Sequence, residues 1–135
     1  MLLVLLAACT PSADLAFSPS ALDFGEVDFA GEMPDAGYAS EAVTLTNDGG
    51  ATLTVWLAAY DTDHLCVSGF PEDLAYPAEL GPLGPGDTYA LDVGVCAYVS
   101  GEIGTPIATE LVVETDGDPA VLTLPITFTP IRSSE

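Results

Sequence analysis

The chain contains no lysine, and its single cationic side chain at neutral pH is Arg132, set against 21 aspartates and glutamates. A formal net charge of −20 over 135 residues excludes the counterion-displacing surfaces on which nucleic acid binding depends. It equally excludes electrostatic attachment to anionic lipid headgroups. Histidine is nearly absent: His64 stands alone, and no Gly-x-Ser-x-Gly elbow accompanies it, so nothing marks a nucleophile paired with a base. Nothing singles out one carboxylate pair among 21 for glycoside chemistry either. No apolar run reaches the ~18–20 residues of a membrane-spanning helix. No window free of glycine and proline carries the i, i+3, i+4, i+7 apolar stripe of an amphipathic helix. The chain reads as a non-enzyme without helices.

What is present is apolar mass. Hydrophobic residues make up 49% of the chain, which is too much for a disordered polymer even at this charge. The acids are scattered singly or in pairs from Asp14 to Glu135, so they form a negative skin on a folded body rather than a tail. Three accounts of that skin stand open: solubility in a composition rich in Asp, Ala, Gly and Pro, a salty habitat that screens carboxylates, and specific binding of cations or a basic partner.

The first residues carry an address. An apolar stretch from Met1 ends in Leu6-Ala7-Ala8-Cys9, the pattern of a bacterial lipobox. Small residues before the cysteine suit a signal peptidase pocket. Residues 1–8 are then a cleaved signal peptide, Cys9 is the lipidated residue, and 9–14 is a short tether. At ~3.3–3.6 Å per extended residue this tether keeps the domain close to the bilayer, and the lipid is its sole hold on the membrane. The expected location is the cell envelope. Thr10 rather than an aspartate follows Cys9, which by analogy with Gram-negative sorting points to the outer membrane, on its periplasmic face or at the cell surface.

Two further cysteines, Cys66 and Cys96, make an even pair in an exported, oxidising setting, so a disulfide between them is the expectation. Two buried free thiols or a metal pair are the alternatives. The second is short of ligands, because no Cys-x-x-Cys spacing exists and only His64 lies nearby.

From Leu15 onward short alternating runs are separated by Gly, Pro, Asn and Asp. Leu22 and Phe24, then Val27 and Phe29 past Gly25, predict a first strand kinked at the glycine. Val43 and Leu45 alternate with Thr44 and Thr46, and Asn47-Asp48-Gly49-Gly50 is a turn. Leu53, Val55 and Leu57 form the return strand, with Trp56 off that face. Tyr89-Leu91-Val93-Val95, Leu111-Val112-Val113 and Leu122-Leu124-Ile126-Phe128 supply further strands. Residues 69–85, rich in proline and glycine, read as an irregular crossover. About seven short antiparallel strands at this spacing predict a single all-β immunoglobulin-like β-sandwich over residues 15–130, followed by a C-terminal tail at 131–135.

Four segments in order carry a resemblance. Pro19-Ser20-Ala21-Leu22-Asp23-Phe24-Gly25-Glu26-Val27 resembles the P-x-x-L-x-F-G-x-V opening of the immunoglobulin-like domains called ASH or choice-of-anchor D, relatives of the Hydin and major sperm protein modules. Val43-Thr44-Leu45-Thr46-Asn47-Asp48-Gly49 is similar to their strand and turn before the next strand. Leu83-Gly84-Pro85-Gly86-Asp87 is similar to their L-x-P-G-x. Thr115-Asp116-Gly117-Asp118-Pro119 with Leu122 to Ile126 resembles their closing segment. The similarity spans about residues 15–129. It implies a binding, scaffolding or surface module, and because the family shares no catalytic residues, none is carried over.

Two acidic turns, Asp61-Thr62-Asp63-His64 and Asp116-Gly117-Asp118, have hard oxygen ligands at the spacing Ca²⁺ accepts, and Asp116 with Asp118 is the better placed pair. The same residues serve equally as ordinary turn formers. Trp56 is expected to pack in the core; if exposed, it is the first choice for a contact hot spot. Tyr60, Tyr76, Tyr89 and Tyr98 are further candidates for a ligand platform. The expected function is a lipid-anchored envelope module with an interaction or structural role toward an envelope protein or polymer. A calcium- or carbohydrate-binding surface module is the alternative.

Overall fold

A computed structural model describes residues 15–34, 37–69, 78–117 and 120–133. Nine strands occupy them: β1 (Leu15–Ser18), β2 (Leu22–Asp28), β3 (Ala39–Asn47), β4 (Leu53–Tyr60), β5 (Leu65–Ser68), β6 (Ala78–Leu83), β7 (Thr88–Val95), β8 (Ile107–Thr115) and β9 (Val121–Ile131). They form a four-stranded sheet in the order β1-β3-β7-β5 and a five-stranded sheet in the order β2-β9-β8-β4-β6. No helix occurs among the described residues. The expected signal peptide, Cys9 and the expected tether lie outside the described residues.

Period-2 alternation puts one face of each strand inward. Val43 and Leu45 of β3, Leu91 and Val93 of β7, Val55 and Leu57 of β4, Leu111 and Val113 of β8, and Leu124, Ile126 and Phe128 of β9 meet in one core, each at most 2% exposed. At roughly 1.5–3 kcal/mol for each large side chain fully buried, this interior is the main force holding the sheets together.

The strand count exceeds the expected seven because β1, β5 and β6 lie outside the runs read as strands. Ahead of the expected first strand, Leu15–Ser18 pairs with β3, the chain crosses sheets through Pro19, Ser20 and Ala21, and Leu22–Asp28 joins the other sheet. There β2 runs parallel to β9, so the pairing is not wholly antiparallel. Gly25, at φ 65°, sits in the register break between Asp23 and Glu26, and Asp23 Oδ1 accepts the Gly25 N–H at 2.9 Å. The expected kink is therefore a β-bulge. The short β5 adds an edge to the four-stranded sheet, and the supposed crossover contains β6. Ala78, Leu80 and Leu83 point inward, while the bulge at Gly81 and the imino residue Pro82 are accommodated because β6 is an edge strand.

Asn47 ties two turns together. Its side chain is fully buried and donates to Ala51 O at 2.7 Å and Leu83 O at 2.8 Å. Its Oδ1 accepts the Gly49 N–H, and its own N–H and C=O bond Asp87 O and Gly86 N. The Asn-Asp-Gly turn and the Leu-Gly-Pro-Gly-Asp turn are thus one structure.

Candidate functional site

Two surfaces have side-chain arrangements beyond what the core requires. The first is the loop end around His64. After β4 the chain turns through Asp61, Thr62 and Asp63, with Asp61 O accepting from Leu65 N at 2.8 Å and Asp61 Oδ1 from Asp63 N at 3.0 Å. Aspartate in this role closes a turn through its own side chain. The turn delivers His64 inward, 8% exposed, with its ring edge-on to Phe128 at 5.7 Å. Nδ1 meets Asp61 Oδ2 at 2.5 Å, and Nε2 meets Glu102 Oε1 at 2.8 Å. A ring flanked by carboxylates on both sides is satisfied when both nitrogens carry protons.

Burial by itself lowers the His64 pKa, but the hydrogen bonds and charges of Asp61 and Glu102 outweigh it and hold the group above its ordinary 6.5. Burial raises Asp61, yet bonds from His64 and Thr109 keep it below its usual 3.8. Glu102 is lowered first by the Val99 N–H and then by His64. Thr109 Oγ1 of β8 fixes Asp61 Oδ2 at 2.9 Å. Val99 N donates to Glu102 Oε1 at 2.6 Å, so the same carboxylate folds its own loop.

That loop, between β7 and β8, has further anchors. Cys96 and Ala97 donate to His64 O, and Gly104 donates to Pro130 O at 2.7 Å. Cys66 and Cys96 form the expected disulfide, with Cα atoms 5.8 Å apart. Gly37 at φ 107° lies against it, where a Cβ would stand 2.9 Å from Val95 O. Phe29 packs against a tilted Tyr38 ring at 4.6 Å and an edge-on Tyr98 ring at 4.8 Å. The fastened loop holds Val99 and Ile103 out to solvent, 47% and 44% exposed.

The second surface is the outer face of the five-stranded sheet. Trp56 is half-buried there, opposite the inward Leu53, Val55 and Leu57. The expectation that Trp56 packs in the core is not met, because the alternation that buries those three residues turns the indole outward. Trp56 is paired in register with Glu79 of β6 and with Glu114 of β8, both exposed. Glu114 in turn is paired with Val121 of β9, which is 53% exposed.

The other sequence candidates are dispersed. Asp116 Oδ1 accepts Thr54 N at 2.9 Å, and Asp116 N donates to Thr54 O, so this acid closes the end of the β4–β8 pair. Asp118 lies outside the described residues. Among the described residues no three His, Cys, Asp or Glu side chains converge as a metal site. In the acidic turn at residues 61–64 the Asp61 oxygens accept from His64, Thr109 and Asp63. Tyr89 belongs to the four-stranded sheet and donates to Gly69 O at 2.7 Å, Tyr98 packs at the loop end, and Tyr76 lies outside the described residues. The aromatics therefore do not build one platform. Sequence reasoning missed the Asp61–His64–Glu102 arrangement, since 38 residues separate His64 from Glu102. Its one available signal was a solitary histidine beside an acidic turn in an apolar chain.

No protein-family model matches this chain, and no curated protein matches it. Solved structures do. SSP-19, an MSP-domain protein like family member of Caenorhabditis elegans, aligns at 17% identity with a TM-score of 0.53, covering 84% of this chain and 98% of that one. The ASH/PapD-like domain 7 of human CEP192 aligns at 14% identity and a TM-score of 0.55, covering 91% and 89%. The Vibrio cholerae VesB protease aligns at 15% identity and a TM-score of 0.50; the match covers 87% of this chain but 32% of the protease. Identities this low speak to fold alone. The fold is the immunoglobulin-like β-sandwich found in MSP and ASH/PapD-like domains.

Proposed function

We propose that this chain is a non-catalytic, lipid-anchored module of a bacterial cell envelope, held in the membrane through Cys9 and acting by contact with another envelope protein or polymer. The observation that carries the non-catalytic reading is the state of His64. The chain's only histidine has both ring nitrogens engaged by carboxylates, so it has no free lone pair with which to act as a base. The hydroxyl in this network, Thr109, donates to Asp61 rather than to the imidazole. What the site does well is mechanical: it fastens the loop between β7 and β8 to the body and holds two apolar side chains outward. The sandwich fold supports the same reading, because its strand edges and end loops are natural contact surfaces.

An intact mass of the native protein extracted from membranes tests this directly. The expected species lacks residues 1–8, carries acyl groups on the new N-terminal Cys9, and is two hydrogens lighter for the Cys66–Cys96 bond. Recovery from the aqueous fraction with Met1 retained and no lipid overturns the anchor.

A further inference from the structure

The outer face of the five-stranded sheet holds an unusual row. Across β6, β4, β8 and β9, the register places Glu79, Trp56, Glu114 and Val121 side by side, all on the side away from the core. Neighbouring strands lie ~4.8 Å apart, so the indole has one carboxylate-bearing position on each side, about 10 Å apart in all. Among the described residues the side chains of Glu79, Trp56 and Glu114 make no ion pair or hydrogen bond.

We propose that this face binds an arginine side chain of a basic partner protein, its guanidinium lying on the Trp56 indole between the carboxylates of Glu79 and Glu114. Tryptophan is the best ring for a cation within ~6 Å of its centroid. A planar guanidinium can stack on the ring and still direct its edge N–H groups at carboxylates on both sides. The chain has no cation of its own to fill the place. It has no lysine, and its single arginine, Arg132, lies beside Asp28, past the far end of β9 from Val121. With a net charge of −20, the long-range field draws in positively charged proteins and repels acidic ones. The row then selects arginine from what that field attracts. This inference rests on the interaction-module reading above but is independent of the lipid anchor.

Trp56 is the sole tryptophan, so its emission reports on the site without labelling. The experiment titrates the full-length protein with a glycine-flanked triarginine peptide at physiological salt, with trilysine and Ca²⁺ as parallel probes. A saturable change in Trp56 emission is expected, with arginine several-fold tighter than lysine and no Ca²⁺ response. Followed by calorimetry, Trp56→Leu and the Glu79→Gln/Glu114→Gln pair should each weaken binding by about tenfold, and Trp56→Phe by less. A Glu26→Gln/Glu41→Gln control removes the same charge from β2 and β3, and should weaken binding less than about twofold. Melting temperatures verify that each variant is folded. Equal losses from the two double variants, equal affinity for lysine, or an unsaturable response would overturn the proposal. Such a failure leaves the membrane test untouched.

Discussion

His64 is the residue whose environment has the clearest consequence in solution. Its folded pKa is raised above 6.5, so the stability it contributes is complete below 6.5 and is lost as pH rises through the folded value. Asp61 and Glu102 have folded pKa values below their ordinary 3.8 and 4.5. Their contribution is complete above those ordinary values and is lost as pH falls through the lowered ones. The three groups therefore stabilise the fold most fully between about pH 4.5 and 6.5. Comparing wild type with His64→Gln across pH isolates this from the general repulsion of the acids. The difference in melting temperature should be largest inside that window and shrink at alkaline pH, and a pH-independent difference would remove the ion pairs from the account. None of this was legible from spacing. The sequence offered Asp61 and His64 as turn neighbours, whereas Glu102 enters only because the end of β7 and the start of β5 are adjacent in the four-stranded sheet.

At the scale of elements, the loop between β7 and β8 is held by a covalent bond as well as by charge. With Cys9 assigned to lipid, the remaining even pair of cysteines in an exported chain predicted that bond, and the pairing of Cys66 opposite Gly94, two residues before Cys96, explains how it closes. A sequence separation of 30 corresponds to about 3–4 kcal/mol of unfolded-state entropy in the chain-entropy model. Urea unfolding of a Cys66→Ala/Cys96→Ala variant should show a loss of that size, with the β-sheet signal retained below the transition. Strand existence was readable wherever alternation ran clean, as in β3, β4, β7 and β9. It failed at β1 and β5, each four residues long, and at β6, where Gly81 and Pro82 imitate a loop. The competing fact at β6 is edge position, which spares Pro82 any need for an N–H and lets a bulge absorb Gly81. The first expected strand, kinked at Gly25, forms as β2, while the crossing between sheets before it left no signal in the sequence.

For the whole molecule, like-charge repulsion works against the core. Twenty net negative charges on a body of this size oppose compaction at low ionic strength, and the Debye length falls from ~30 Å at 0.01 M to ~3 Å at 1 M salt. Raising NaCl across that range should lift the melting temperature by several degrees, about 3–6 °C for ~1 kcal/mol of relieved repulsion. A flat or falling salt response would show that the acids are spaced too widely to matter. Fold class, the absence of helices among the described residues, the inward faces of the long strands and, with Cys9 assigned to lipid, the cysteine pairing followed from the sequence alone, because period-2 burial and residue composition are properties of the chain itself. The parallel β2–β9 pair, the union of two turns through Asn47, the carboxylates on both sides of His64 and the row of Glu79, Trp56 and Glu114 were decided by tertiary structure. Each joins strands or loops far apart in sequence, and the register that sets them side by side exists only once both sheets have closed on the shared core.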